Sequence, residues 1–594
     1  MTYTLDFTGI TPHPNQGLHV KLTINAEGSQ GADVKHKVSG SPTAPRPDHD
    51  GALRPPVRRI LRDQNLAPGV AADLARVGRE TIMLPRARRY AMNVRTRFVS
   101  ALIALLMGVG VLCVGGGAMA APGDPGGRRF LPGAPGAGDA YFPFAGNGGY
   151  DVQHYDLDIT YEPPAPDPAP LVGQLSGVAT IDLVAMQNLD RFNLDLRDMD
   201  VQAITVNGKR LREVTPPAPG ATVGGPAYWQ VQDDEARVWE LIVQPRPKLK
   251  KGAKARVVVT YGGQTTRPED IEGALYGWVT TRDGAMVVSE PEGSMTWYPV
   301  NDHQTDKATY SFEITVPEGK VAVANGLPAR DPITEDGWTT WFWDAPDLQA
   351  SYLTTASVGD YELRFSKTDD GLPIIDAIDD GLTPQNAATT DASLKLQPDM
   401  IAFLEETFSP YPFNSFGSIV DDDSVGYALE TQTRPVYSRV ASESTVVHEL
   451  AHQWFGNAVS PERWQDIWLN EGWATYVEWL WSENTGGDSA QASFDAVMEI
   501  PTDDPFWNLA IADPGPLGLF HGAVYDRGAA TLHALRVKIG DQAFFKAAQE
   551  WLERYDDSTA TTEDFEAVYE EVSGQDLDSF FDVWLRTPSK PTTW

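Results

Sequence analysis

Two periodicities divide this chain. From Tyr150 the apolar positions recur at every second residue: Tyr155, Leu157, Ile159 and Tyr161 alternate with Asp156, Asp158 and Thr160, as on a half-buried strand. Ala179-Ile181-Leu183 and Phe192-Leu194-Leu196 repeat the pattern. Val206-Asn207-Gly208-Lys209 predicts a tight hairpin turn, and the run from Arg256 to Tyr261 predicts a strand that stops at Gly262-Gly263. The same character continues through Tyr310 to Ile314 and Thr340 to Trp343, reaching about Tyr361. Residues 141–365 therefore read as one all-β domain, with Pro163 to Pro170 as a stiff loop inside it.

Beyond it the spacing becomes helical. Ile401, Leu404 and Phe408 place a helix over Gln397 to Phe408, and Phe416 to Val420 reads as a strand. Further helices are predicted over Ser442 to Phe455, Glu471 to Trp481, Arg527 to Ile539, Asp541 to Tyr555, Thr562 to Val572 and Leu577 to Leu585. The chain is thus expected to be multidomain, with a mostly helical α+β domain over 366–594 following the β domain.

The N-terminal part has a different layout. Arg95 and Arg97 precede an apolar run from Phe98 to Val114, and Ala118-Met119-Ala120 is a small-x-small cleavage site. Residues 92–120 therefore read as a secretory signal peptide cleaved near Ala120, so a secreted protein is expected. Residues 1–91 then fall outside the mature protein through an over-extended start, with Met92 as the initiator. Left uncleaved, the segment 98–114 would instead anchor the chain to a membrane at the cell envelope. Residues 121–140, rich in Gly and Pro, read as a flexible linker.

Charge narrows the partners. The chain holds 82 acidic against 47 basic side chains, a net charge of -35. So acidic a surface excludes nucleic acid and suits a soluble exported protein. The one cysteine, Cys113, lies in the signal, so no disulfide is expected, and Leu112 stands where a lipobox needs a small residue.

The chemistry concentrates at His448-Glu449-Leu450-Ala451-His452. Positions i and i+4 share a helix face, so the two imidazoles can grip one Zn²⁺, while Glu449 is rotated aside as a general base. Composition alone yields this pattern about 0.02 times in such a chain. Eighteen residues separate His452 from Glu471, in Trp468-Leu469-Asn470-Glu471-Gly472, which supplies the third ligand. Three protein ligands leave a zinc position open, as in a catalytic site.

At this point the sequence resembles the aminopeptidase N family of zinc peptidases. Gly149 to Tyr155 resembles that family's opening strand, and His448 to His452 with Glu471 in WLNEGWA matches its zinc signature, gap included. Thermolysin-like endopeptidases usually place the third ligand one residue further. The resemblance implies a saddle-like β domain, a thermolysin-like catalytic domain, one zinc per chain, and peptide substrates with a free N-terminus. It also implies a short member, without the large C-terminal helical domain of many relatives.

The family's Gly-x-Met-Glu-Asn motif appears here as Tyr427-Ala428-Leu429-Glu430-Thr431. The resemblance implies that Glu430 holds the substrate's α-amino group and that Ala428 lines its site. Ser289-Glu290-Pro291-Glu292-Gly293 resembles the segment donating a second acid; Glu290 is the choice, with Glu292 close by. Tyr525, in Val524-Tyr525-Asp526-Arg527-Gly528, matches the family's Tyr-x-Lys-Gly and implies an oxyanion donor. The alternatives are a thermolysin-like endopeptidase and an epoxide hydrolase using the same zinc site.

Overall fold

The computed structural model describes side chains for residues 129–165, 170–218 and 221–593, together with short backbone strands between residues 2 and 38. Residues 1–123 and 124–594 form two compact units. In the first, Thr2–Phe7 pairs antiparallel with Leu22–Glu27. The expected signal over 92–120 lies outside the described residues. Among those residues, no helix is long and apolar enough to cross a membrane.

The second unit begins with β structure. A nine-stranded sheet carries Tyr150–Glu162 between Gly173–Ala185 and Ala308–Pro317. Its period-two pattern is realised: Tyr155, Leu157, Ile159 and Tyr161 are all buried. Asn207 and Gly208 both adopt positive φ, and Val206 pairs with Lys209, the geometry of a type I′ hairpin. A five-stranded sheet and a four-stranded sheet complete this half.

Two expected boundaries move. Leu131–Pro132 adds to the strand Leu189–Asp195, and the buried Asp139 carboxylate accepts from the backbone N–H of Tyr141, Phe142 and Trp464. Residues 131–140 are therefore packed against both halves, not a flexible linker. The expected break at 365 falls inside the strand Tyr361–Lys367. That strand pairs with Pro373–Asp379, which runs parallel to Phe416–Asp421 and belongs to the sheet of the helical half. Side-chain alternation on Pro373–Asp379 explains the junction. Ile374 and Ile378 enter the core of the helical half, whereas Ile375 and Ala377 enter the core of the β half.

The helices then follow over Pro384–Leu394, Gln397–Thr407, Glu443–Ala451, Trp468–Asn484, Ala490–Glu499, Gly522–Ile539, Asp541–Tyr555 and Thr562–Ser573. Two of them, Pro384–Leu394 and Ala490–Glu499, are absent from the sequence reading. The helix expected to reach Phe455 ends at Ala451, because the chain turns through His452 to Phe455. The last one, expected over Leu577 to Leu585, is a short turn Asp578–Phe581 that widens over Asp582–Arg586. There the buried Arg527 guanidinium donates to the carbonyls of Val583, Trp584 and Thr587.

Candidate metal centre and cleft

Ser442 caps the helix Glu443–Ala451, its hydroxyl accepting from the backbone N–H of Thr445. This short helix carries His448 and delivers His452 as its C-cap. Glu471 sits in the first turn of Trp468–Asn484, which packs against it. The Glu471 Oε2 lies 3.3 Å from His448 Nε2 and 3.5 Å from His452 Nε2. Ligand atoms of these three residues lie within 4.8 Å of one another.

The outer nitrogens settle how the rings can act. His452 Nδ1 is 3.0 Å from the Phe455 carbonyl oxygen, which can only accept, so Nδ1 carries the hydrogen. His448 Nδ1 is 2.7 Å from Glu478 Oε1, and Ser444 Oγ donates to the other oxygen of that carboxylate at 2.6 Å. Both Nε2 lone pairs therefore face a carboxylate oxygen. A proton on an imidazole or a cation among the three groups satisfies that convergence. Two imidazole nitrogens and one carboxylate oxygen are the donor set of a catalytic zinc site, with outer hydrogen bonds fixing the tautomers.

With no cation among them, the three groups balance one another as a buried ion pair. Burial works to raise the Glu471 carboxyl, but His452 and His448 overcome it and hold it down at about 2. Burial works to lower His452, yet Glu430 and Glu471 carry it up to about 9. Glu449 is pushed up to about 8 by burial, with both imidazoles opposing.

These groups line a cleft of about 350 Å³, shared with Glu290, Tyr427, Ala428, Glu430, Phe520 and Tyr525. Glu290 and Glu430, 7% and 2% exposed, each keep one carboxylate oxygen, Oε1, with no hydrogen-bond partner among the described residues. Burial raises both carboxyls, and on Glu290 the neighbouring Glu430 adds to it. Glu292, the neighbour that the sequence reading set aside in favour of Glu290, is committed elsewhere. Its carboxylate accepts from Arg237 and, at 3.3 Å, from Tyr276, away from the cleft. Tyr525 lies in the first turn of Gly522–Ile539, one turn earlier than the sequence reading placed the helix. Its ring stacks over His448 at 6.1 Å between centroids.

Residues 399–584 match the peptidase family M1 domain. The chain is 27% identical over 327 residues to human glutamyl aminopeptidase, covering 51% of this chain and 34% of that one. To aminopeptidase N of Lactococcus lactis subsp. lactis it is 28% identical over 326 residues, covering 50% and 38%. The chain therefore spans little more than a third of the length of these curated relatives. The crystal structure of an M1 zinc metallopeptidase from Deinococcus radiodurans is similar at TM-score 0.66 and 28% identity, covering 77% of this chain and 99% of that one. A mutant of that enzyme is solved with a Tyr-Ser-Ala substrate. Zinc is the metal of these solved M1 proteins, and the donor set here fits it.

Within the M1 domain, one close contact sets the cleft's width. A Cβ on Gly528 would come within 2.8 Å of Gly472 Cα, so the helices bearing Glu471 and Tyr525 touch backbone to backbone. Gln453 and Asn457, which the sequence reading passed over, hold the Glu430 segment. Both donate to the Glu430 main-chain carbonyl, at 3.2 and 2.8 Å, and Gln453 also donates to the Glu449 carbonyl. Glu478 was missed as well. It stands seven residues after Glu471, two helical turns along the same face, and that spacing is the signal that could have found it.

Proposed function

We propose that this chain is a zinc aminopeptidase that removes the first residue from peptides with a free N-terminus. One observation carries the reading. The partnerless oxygens of Glu290 and Glu430 are buried in the same cleft as the His448–His452–Glu471 donor set. An unpaired carboxylate in such a place is costly unless a cationic donor meets it, and a peptide's ammonium group is that donor. Peptide substrates also fit what is bound by the Deinococcus radiodurans mutant.

Held by His448, His452 and Glu471, zinc supplies Lewis acidity towards a water and a peptide carbonyl oxygen. The chain's own groups do the rest. Glu290 and Glu430 fix the ammonium, which leaves only the first peptide bond at the reacting centre. Glu449 takes the proton of the attacking water as the new C–O bond forms. Tyr525, its phenol kept protonated by burial and the surrounding acids, donates to the developing oxyanion. Glu449 then passes the proton to the departing nitrogen as the C–N bond breaks. The products are one free amino acid and a peptide shortened by one residue.

The test compares free and N-acetylated versions of the same peptides with purified protein. The free peptides should be trimmed from the N-terminus, and the acetylated ones should be nearly inert. Internal cleavage of acetylated peptides at a comparable rate would favour an endopeptidase instead. The signal-like layout of residues 92–120 further supports export. N-terminal sequencing of protein from culture medium should begin near Ala121, and full-length chain in the cytosol would reject export.

A further inference from the structure

Two carboxylates that line the cleft take no part in the chemistry above. Asp270 and Glu272 sit on the loop that connects the strands Lys254–Thr265 and Gly277–Thr280 of the β half. Among the described residues, no lysine or arginine lines the cleft with them. The loop is held in place. Asp270 Oδ1 accepts from the backbone N–H of Glu272 and Ala274, both at 2.8 Å, and Asp270 N–H donates to the Ala274 carbonyl at 2.9 Å.

Tyr427 ties this loop to the other half of the molecule, its phenol donating to the Leu275 carbonyl at 2.7 Å. Tyr427 is three residues before Glu430 on the same segment, so the acidic loop is fixed relative to the amine-holding carboxylate. Burial raises the Glu272 carboxyl, and the neighbouring Asp270 adds to it. The aromatic rings of Tyr427 and Phe520 line the same cleft.

On the aminopeptidase reading, we infer that Asp270 and Glu272 make the cleft select peptides whose first residue is arginine or lysine. A substrate anchored at Glu430 and Glu290 by its α-amino group extends its first side chain along the remaining wall. The methylenes of Lys or Arg suit the aromatic surface, and the charged head suits the acidic loop. A neutral side chain of equal length gains only the first of these contacts.

The test uses arginyl and citrullyl p-nitroanilides, which match in shape but not in charge. The parent should favour arginine about tenfold in kcat/KM, because these carboxylates are partly solvated, and the preference should shrink as salt is added. In Asp270→Asn with Glu272→Gln the ratio should fall to near one. The Asn keeps the oxygen that receives the two loop N–H groups. Should the double variant fail to fold, Glu272→Gln alone, at an exposed position, must still lower the ratio severalfold. Equal rates on both substrates with the parent, or a ratio unmoved by the substitutions, would overturn this inference while leaving the aminopeptidase reading intact. No turnover of any free-amine substrate would overturn that reading and this inference with it.

Discussion

The two ends of the cleft are built on opposite plans. At the metal end, Phe455 and Glu478 occupy the outer nitrogens of His452 and His448, Ser444 braces Glu478, and the inner nitrogens face Glu471. At the proposed amine end, Glu290 and Glu430 are buried too, yet each keeps an oxygen that no group among the described residues meets. The donor set is preassembled, so a cation enters without reorganising it. On the aminopeptidase reading, that end is left for the substrate to complete. A ligand with its own positive donors relieves that cost, so on this reading burial itself favours a free N-terminus.

The sharpest way to break this contrast is at Glu449, which lies between the two ends. Glu449→Gln should keep zinc bound and lower kcat by about 10²- to 10⁴-fold, whereas His452→Ala should lose both metal and turnover. Metal analysis beside steady-state kinetics checks this pair. A fully loaded, active His452→Ala protein would end the zinc assignment.

At the amine end, Glu430→Ala should lower kcat/KM on free-amine peptides by about ten- to a hundredfold while the metal content stays constant. The matching change at the metal end is Glu478→Ala. It should weaken zinc affinity by about ten- to a hundredfold in a chelator competition, since an outer partner of a ligand imidazole is lost. If Glu430→Ala strips the metal, or Glu478→Ala leaves the affinity unmoved, the two ends are not separate devices.

The smallest effect is expected from the contact that joins them. Gly528→Ala forces the helices of Glu471 and Tyr525 apart and should cost about 1–3 kcal/mol, read as a lower midpoint in thermal unfolding. Turnover should fall more than metal content does, because Tyr525 shifts while the ligand set holds.

The sequence by itself determined whatever is written in local spacing. Alternation gave the buried face of Tyr150–Glu162, Asn207-Gly208 gave the hairpin, and the i,i+4 spacing gave the pair of histidines that face Glu471, because each depends on neighbours within a few residues. Helices with little apolar surface escaped it. Pro384–Leu394 has Thr383 as cap and Pro384 in its first turn, but its Ala- and Thr-rich face shows no clear stripe; Ala490–Glu499 has Ser489 as cap, and its stripe is only Ala490, Phe494 and Val497. The reason that Glu292 stays out of the cleft belonged to the tertiary structure, since Arg237, 55 residues away, pairs with it. So did the brace of Glu478, the domain junction at Tyr361–Lys367, and the acidic loop that Tyr427 holds beside Glu430. A side chain's direction in a cleft is fixed by partners distant in the chain, and no local periodicity records where those partners will be.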